Sequence, residues 1–169
     1  MTILTLHKYP EKILSEVCDE VTAVTDTTRR LLDDMLETMY ADKGVGLAAP
    51  QVGIKQRLIV VDDKVSEDGT RGPHPLRMIN PKIIEKSAAT IFFNEGCLSV
   101  PGVCAEVERH QQITVQYLDE NGVMQTLVAQ DYLAVILQHE IDHLDGILYI
   151  DHLSRLKRNM LIKKVLRNQ

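Results

Sequence analysis

The sequence predicts a single α+β domain over residues 1–169, with short, mostly antiparallel sheets packed around one buried central helix. Three observations favour this fold class. Short β-branched segments recur through the chain without the regular strand–helix alternation of a doubly wound fold. The helical segment at 131–144 is apolar on nearly all sides, as a central helix is. Two other helical segments, one N-terminal and one C-terminal, mix apolar and charged residues and are expected to lie outside.

Capping residues and periodicity set the expected limits of the helices. The first is predicted from Asp26 to about Asp42, where apolar residues recur at helical spacing. The buried helix is predicted from Asp131, as its N-cap, to Leu144. The last covers Ser154–Leu166 and carries basic but no acidic side chains.

The strands are predicted from short segments rich in β-branched residues. Two of them flank Asp119-Glu120-Asn121-Gly122, which is typical of a hairpin turn. Residues 63–75 are polar and rich in Gly and Pro, and they indicate a surface loop. The predicted strands are Arg57–Asp62, Leu76–Ile79, Lys82–Lys86, Thr90–Phe93, Ile113–Leu118 and Val123–Val128.

Composition excludes several classes of protein. With 44% hydrophobic and 25% charged residues, the chain has the make-up of a globular domain. A net charge of −5 and the absence of Trp give no support to DNA binding or to stacking on single strands. No apolar segment is long enough to span a membrane, and the N-terminal residues show no targeting pattern. Three irregularly spaced cysteines predict no disulfide framework, so we expect a cytoplasmic protein.

The strongest chemical pattern is His139-Glu140-Ile141-Asp142-His143 in the buried helix. Residues four apart share one face of a helix, so both imidazoles can bind the same metal ion. Glu140, one position further round, can reach a metal-bound water without being a ligand. Burying these three polar side chains without partners would be costly, and a metal ion removes that cost. The pattern therefore predicts a metal site.

Two histidines leave a catalytic metal ion in need of a third protein ligand. A thiolate suits zinc and ferrous iron, and the candidates are Cys18, Cys97 and Cys104. Cys97 is favoured because Gly96 precedes it, yet a lone cysteine is more often a small buried apolar residue. A structural site would need a fourth ligand, for which His152 is the nearest candidate. The residues alone leave this choice open.

Three segments resemble, in order, the motifs of the peptide deformylases. They are GVGLAAPQ at 44–51, EGCLS at 95–99 and QHEIDHLDG at 138–146, and the resemblance extends over nearly the whole chain. Three ordered motifs are far more specific than HExxH, which many metalloproteases share. The resemblance implies an enzyme that removes the N-formyl group from the N-terminal methionine of newly made polypeptides and releases formate.

The resemblance also implies roles for individual residues. Glu140 would be the general acid and base, and the Gln51 side chain and the backbone N–H of Leu98 would stabilise the oxyanion. The cofactor would be one Fe(2+) per chain, which Zn(2+), Ni(2+) or Co(2+) could replace on the same ligand types. The implied metal ligands are Cys97, His139 and His143.

A pocket for the methionine side chain is implied by position. Each residue of its apolar wall is equally consistent with plain core packing. Gly44 and Gly46 would let the substrate backbone lie close. Cys104 stands where family members often have Arg or an aromatic residue, which affects contacts beyond methionine and not the metal chemistry. The implied wall consists of Val45, Phe93, Tyr132 and Ile136.

Two alternatives remain at this point. One is an HExxH zinc endopeptidase, although such enzymes usually recruit a third His or Glu and need a long cleft. The other is a non-catalytic, metal-binding module associated with the ribosome. The basic helix Ser154–Leu166 could contact ribosomal RNA through phosphates, but a charged helix is more often a solvated surface.

Overall fold

The computed structural model describes residues 1–169 and confirms the α+β class. Five strands form an antiparallel sheet in the order β1-β2-β3-β6-β7, and β4 and β5 form a separate antiparallel pair. No helix has the length and apolar character needed to cross a membrane. The strands are β1 Gly46–Ala48, β2 Leu58–Val61, β3 Leu76–Lys86, β4 Thr90–Cys97, β5 Val100–His110, β6 Gln112–Leu118 and β7 Met124–Gln130.

Helices cover both faces of the larger sheet. Helix α1, Asp26–Ala41, packs on one face against Leu58 and Val60 of β2. Helix α2, Asp131–Leu144, packs on the other face, where Ile59 and Val61 lie. Because side chains alternate along a strand, a strand covered on both sides reads as a continuous apolar run, as Leu58–Val61 does.

The C-terminal helix covers the smaller sheet. Helix α3, Arg155–Arg167, begins after Ser154, whose hydroxyl accepts the backbone N–H of Lys157. Its buried Val165 packs with Val103 and Val107 of β5. The end of β4 in this smaller sheet contacts α2, where Glu95 and Cys97 lie beside His139 and His143.

Two strands predicted separately, Leu76–Ile79 and Lys82–Lys86, are one strand, β3. Its pairing with β6 shifts between Ile79 and Lys82, which is typical of a bulge. Asn80 lies there with a φ angle of 51°. Its side-chain oxygen accepts the backbone N–H of Val21, and its side-chain nitrogen donates to the backbone carbonyl of Val21. The bulge breaks the register without ending the strand.

Strand β5 has no counterpart in the predictions. Pro101 and Gly102 near its start are typical of a turn, and Gly102 indeed has φ 80°. The strand pairs antiparallel with β4, to which Leu98 and Ser99 connect it, and this hairpin connection has none of the usual turn residues that would predict it. The predicted N-cap Asp131 is also wrong: Gln130 holds that position without a side-chain cap bond.

Candidate active site

Three potential metal ligands from distant parts of the sequence meet at the junction of the sheets. Cys97 ends β4, and His139 and His143 lie one turn apart on α2. Their ligand atoms all lie within 4.8 Å of one another, and Cys97 Sγ is 3.4 Å from His143 Nε2. Sulfur and nitrogen ligands about 2.3 and 2.0 Å from one tetrahedral ion are separated by about 3.5 Å. The donor set therefore fits a single metal ion.

The other candidate ligands lie outside this group. Cys18 is buried in the core between α2 and the larger sheet. Cys104 is exposed at the cleft but is not part of the three-residue cluster. His152 Nε2 instead bonds Asp142 Oδ2 at 2.8 Å. The cluster thus offers three protein ligands and no fourth, an arrangement typical of catalytic rather than structural sites.

The outer nitrogen of His139 is held by a buried ion pair. His139 Nδ1 lies 2.8 Å from Glu95 Oε1, which leaves Nε2 for a metal ion. Both oxygens of Glu95 accept hydrogen bonds from Arg109, at 2.7 and 2.9 Å. Arg109 also donates to Asp142, which reaches His152 at the surface. We call Glu95, Arg109, Asp142 and His152 the carboxylate–arginine chain.

The charges of this chain act on His139. Burial raises the pKa of Glu95, but the bonds from Arg109 and His139 outweigh it, and the pKa lies below its ordinary value. Burial lowers the pKa of His139, yet the contacts with Cys97 and Glu95 reverse the effect and place it well above the usual range. The surroundings of His139 therefore favour positive charge, whether from a proton or from a metal ion.

His143 and Glu140 lack such support. Burial, and then the neighbouring His139, lower the pKa of His143 well below its usual range. His143 Nδ1 and Glu140 Oε2 are the two buried side-chain polar atoms of the chain without a hydrogen-bond partner. Such atoms cost about 1–3 kcal/mol each, so their occurrence together at one place marks a functional centre.

Burial raises the pKa of Glu140 to about 7. A carboxyl group with a pKa near neutrality can both accept and return a proton. Glu140 lines the cleft beside His139, and its oxygen Oε1 fills the space next to Gly46. A Cβ atom on Gly46 would lie 2.6 Å from that oxygen, so glycine at this position makes room for the glutamate itself.

The side chain of Gln51 also lies next to the three potential metal ligands. It lies in the short 3₁₀ turn Ala49–Val52 and is buried. Its Oε1 accepts the backbone N–H of Ala48 at 2.9 Å. Its Nε2 lies 3.2 Å from Ser99 Oγ and 3.6 Å from Cys97 Sγ. An amide N–H donor therefore stands beside the metal cluster.

A cleft of about 920 Å³ opens over these groups. The rings of Phe93 and Tyr132 lie 5.2 Å apart at its side and are partly exposed, whereas Ile136 is almost fully buried. His143 lies beneath the cleft and does not line it. Of the twelve catalytic, metal-binding and pocket residues implied from the sequence, eleven line the cleft: Gly44, Val45, Gly46, Gln51, Phe93, Cys97, Leu98, Tyr132, Ile136, His139 and Glu140.

Sequence reasoning missed the residues that support the site. Glu95 stands inside the EGCLS segment, and that was the available signal. Asp142 stands inside the QHEIDHLDG segment, whereas Arg109 gave no signal, because it lies on the unpredicted strand β5. The N-terminal residues Leu4 and Leu6 also line the cleft, although no sequence motif predicts this.

A three-ligand metal cluster beside a buried glutamate and an amide donor defines a candidate metal-dependent hydrolase. Comparison with known proteins agrees. The family model for polypeptide deformylase matches residues 3–159. The chain is 47% identical to the peptide deformylase of Pelagibacter ubique (strain HTCC1062) over 165 residues, which cover 98% of this chain and 94% of the relative. It is 48% identical to that of Rhizobium meliloti (strain 1021), covering 97% and 92%.

Solved structures show the same relationship. The crystal structure of peptide deformylase from Ehrlichia chaffeensis superposes with a TM-score of 0.92 at 42% identity, covering 99% of this chain and 97% of that one. A structure of the Ehrlichia chaffeensis enzyme in complex with actinonin gives 0.92 at 44% identity, covering 100% and 99%. The chain belongs to the peptide deformylase family, and it is a hydrolase of N-terminal protein processing.

Proposed function

We propose that this chain removes the N-formyl group from the N-terminal methionine of newly made polypeptides and releases formate. The observation that carries the proposal is that the cluster of Cys97, His139 and His143 adjoins one cleft, and that Glu140 and Gln51 line this cleft. Membership of the peptide deformylase family supports it. The setting would be the cytoplasm, where nascent chains are made.

The metal ion would be held by Cys97, His139 and His143. When bound, a divalent ion acidifies water and polarises a carbonyl group. We propose Fe(2+), one per chain, in the cell. Zn(2+), Ni(2+) and Co(2+) suit the same sulfur and nitrogen donors and could replace it.

The remaining chemistry belongs to side chains and backbone of the protein. Glu140 takes a proton from the attacking water and delivers it to the departing amine, a task suited to its pKa of about 7. The amide of Gln51 and the backbone N–H of Leu98 donate hydrogen bonds to the oxyanion that forms at the formyl carbon. One such donor is typically worth about 3 kcal/mol in the transition state.

The apolar side of the cleft would select methionine. Phe93, Tyr132 and Ile136 lie together there, and Val45, the residue before β1, also lines the cleft. Burying a methionine side chain against such a wall contributes about 1.5–3 kcal/mol to binding. Backbone at Gly44 lies at the edge of the cleft, where it can contact the backbone of the peptide.

A formate-release assay tests the proposal against the endopeptidase alternative. The metal-loaded protein is incubated with a formyl-Met tripeptide and, separately, with an internally quenched peptide that has a free N-terminus. We expect formate and a free amino group from the first and no cleavage of the second. Cleavage of the quenched peptide alone would support an endopeptidase, and inactivity on both would support the non-catalytic metal-binding module.

Contact with the ribosome is a second proposal, and α3 supports it. The helix has no acidic residue, and it exposes Leu156 and Met160 beside several basic side chains. Removing the helix would also remove the buried Val165, so charge substitutions are the better test. Replacing Lys163 and Lys164 with Gln should weaken salt-sensitive ribosome co-sedimentation while leaving activity on a tripeptide unchanged. Unaltered co-sedimentation would identify α3 as a solvated surface.

A further inference from the structure

Ser99 lies between β4 and β5, two residues after Cys97, and it is fully buried. Its hydroxyl makes two hydrogen bonds. It donates to the backbone carbonyl of His7 at 2.8 Å, and it accepts from Gln51 Nε2 at 3.2 Å. The chemistry proposed above uses neither Ser99 nor His7, yet the hydroxyl joins both to the amide of Gln51.

The directions of these bonds follow from the partners. A carbonyl oxygen can only accept, so the single hydroxyl proton of Ser99 is committed to His7. A lone pair of the Ser99 oxygen therefore faces Gln51. At the other end of the amide, Gln51 Oε1 accepts the backbone N–H of Ala48 at 2.9 Å, which excludes the flipped orientation of the amide.

A primary amide has two N–H donors. One of those on Gln51 is taken by Ser99, and Ala48 prevents the group from turning over. The second N–H is thereby held on the side of Cys97, whose Sγ accepts a long hydrogen bond of 3.6 Å from Gln51 Nε2. That side is the cleft, where the reacting carbonyl oxygen would lie.

The backbone around Ser99 is held in the same way. His7–Tyr9, which we call the N-terminal strap, crosses between the turn of Gln51 and the end of β4. The backbone N–H of His7 donates to Gln51 O at 2.8 Å, and the backbone N–H of Tyr9 donates to Ser99 O at 2.8 Å. The strap thus fixes the main chains of both residues as well as the hydroxyl between them.

We propose that Ser99 is a positioning residue for the reaction. Its hydroxyl, held by the N-terminal strap, orients the Gln51 amide so that one N–H points at the oxyanion. The inference rests on the proposed role of Gln51 as an oxyanion donor. Pre-oriented donors are effective because they need no reorganisation in the transition state, so loss of Ser99 should affect kcat rather than KM.

The first test compares two serines with the same bonding pattern. Ser87 Oγ donates to Ala89 O at 2.7 Å and accepts the backbone N–H of Gln112 at 3.0 Å, away from the cleft. Ser99→Ala should lower kcat about tenfold with KM changed less than about twofold, because the donor stays but loses its orientation. Ser87→Ala should leave both constants unchanged. Equal kinetics for Ser99→Ala and the wild type would overturn the proposal.

A double-mutant cycle separates positioning from general structural damage. Gln51→Ala alone should lower kcat about a hundredfold or more. If Ser99 acts through Gln51, Ser99→Ala should cost nothing further in the Gln51→Ala protein. A further tenfold loss there would show that Ser99 acts by another route and would overturn the proposal.

Two more outcomes distinguish this proposal from the proposed function. If Gln51→Ala keeps wild-type kcat, the oxyanion role of Gln51 fails, and that of Ser99 fails with it. If Gln51→Ala is impaired and Ser99→Ala is not, only the role of Ser99 is overturned. Should Ser99→Ala fail to fold, Ser99→Cys replaces the hydroxyl with a somewhat larger and weakly hydrogen-bonding thiol. It should show the same loss of kcat at unchanged metal content, and full activity would contradict the role of the hydroxyl.

Discussion

The two histidines of α2 have the same proposed role, as metal ligands, but different surroundings. His139 Nδ1 is bonded to Glu95, and behind it the carboxylate–arginine chain extends to the surface at His152. His143 Nδ1 is buried without a hydrogen-bond partner. The contacts of Cys97 and Glu95 raise the pKa of His139, against burial, while burial lowers the pKa of His143.

The difference divides the site into residues that hold a metal ligand in place and residues that are proposed to take part in the reaction. On the His139 side the buried polar groups are satisfied by one another, so this side is expected to be rigid and to set the position of the metal ion. On the other side, Glu140 Oε2 is left free and the pKa of Glu140 is raised to about 7 by burial. Unsatisfied groups are available for water and substrate, whereas satisfied ones are not.

The largest effect on activity should come from Glu140→Gln, on the side of the site whose polar groups lack hydrogen-bond partners. Without a carboxylate to move protons, kcat should fall about a thousandfold or more. The amide has a similar shape, and burial already disfavours the ionised form of Glu140, so metal content and thermal stability should be retained. Formate release, elemental analysis and a thermal melt on one preparation check this. A variant that loses its metal ion would assign Glu140 to the supporting side instead.

The next effect should come from Glu95→Gln on the satisfied side. This change removes one of the two carboxylates that pair with the buried Arg109 and leaves Asp142 as the other, so unfolding free energy should fall by up to about 3–5 kcal/mol. His139 loses the negative charge behind it, so metal affinity should weaken about 10–100-fold. Urea unfolding and chelator competition measure the two losses.

The matched control for Glu95→Gln is Glu37→Gln. Glu37 makes the same two-bond contact with Arg71, but that pair lies at the protein surface. Solvent screens it, so the loss should stay below about 1 kcal/mol and metal affinity should not change. Equal losses for the two variants would mean that the buried pair is not special to the site.

The smallest effect should come from His152→Ala at the outer end of the carboxylate–arginine chain. The His152 side chain is 38% exposed, and Arg109 still holds Asp142 in its absence. Unfolding free energy should change by less than about 1 kcal/mol, and metal affinity by less than about threefold. A loss as large as that of Glu95→Gln would show that the chain acts as one unit to its surface end.

The same division explains what could be predicted from the sequence. Helices α1 and α2 were predicted closely because their signals are local: helical periodicity and the spacing of His139 and His143. Cys97 was favoured by its flanking glycine and assigned by resemblance. The contact of Glu95 with Arg109 could not be predicted, because it depends on the register between β4 and β5.

Ser99 illustrates the same limit. It stands in a quoted motif, but its partners His7 and Gln51 are 92 and 48 residues away in the chain. Local pattern predicts which residues share a helix face, and it does not predict which backbone carbonyl a buried hydroxyl will meet. The residues proposed to carry the chemistry could therefore be named from the sequence, whereas the residues that hold them in place could be identified only from the fold.

X-ray absorption spectroscopy of the metal-loaded wild-type protein tests the metal cluster most directly, with Cys97→Ser measured alongside. We expect one ion per chain with one sulfur and two imidazole nitrogens among its neighbours, and loss of the sulfur signal in the variant. A spectrum of the wild-type protein without sulfur, or one that Cys97→Ser leaves unchanged, would contradict the assignment of Cys97, His139 and His143 as the metal ligands.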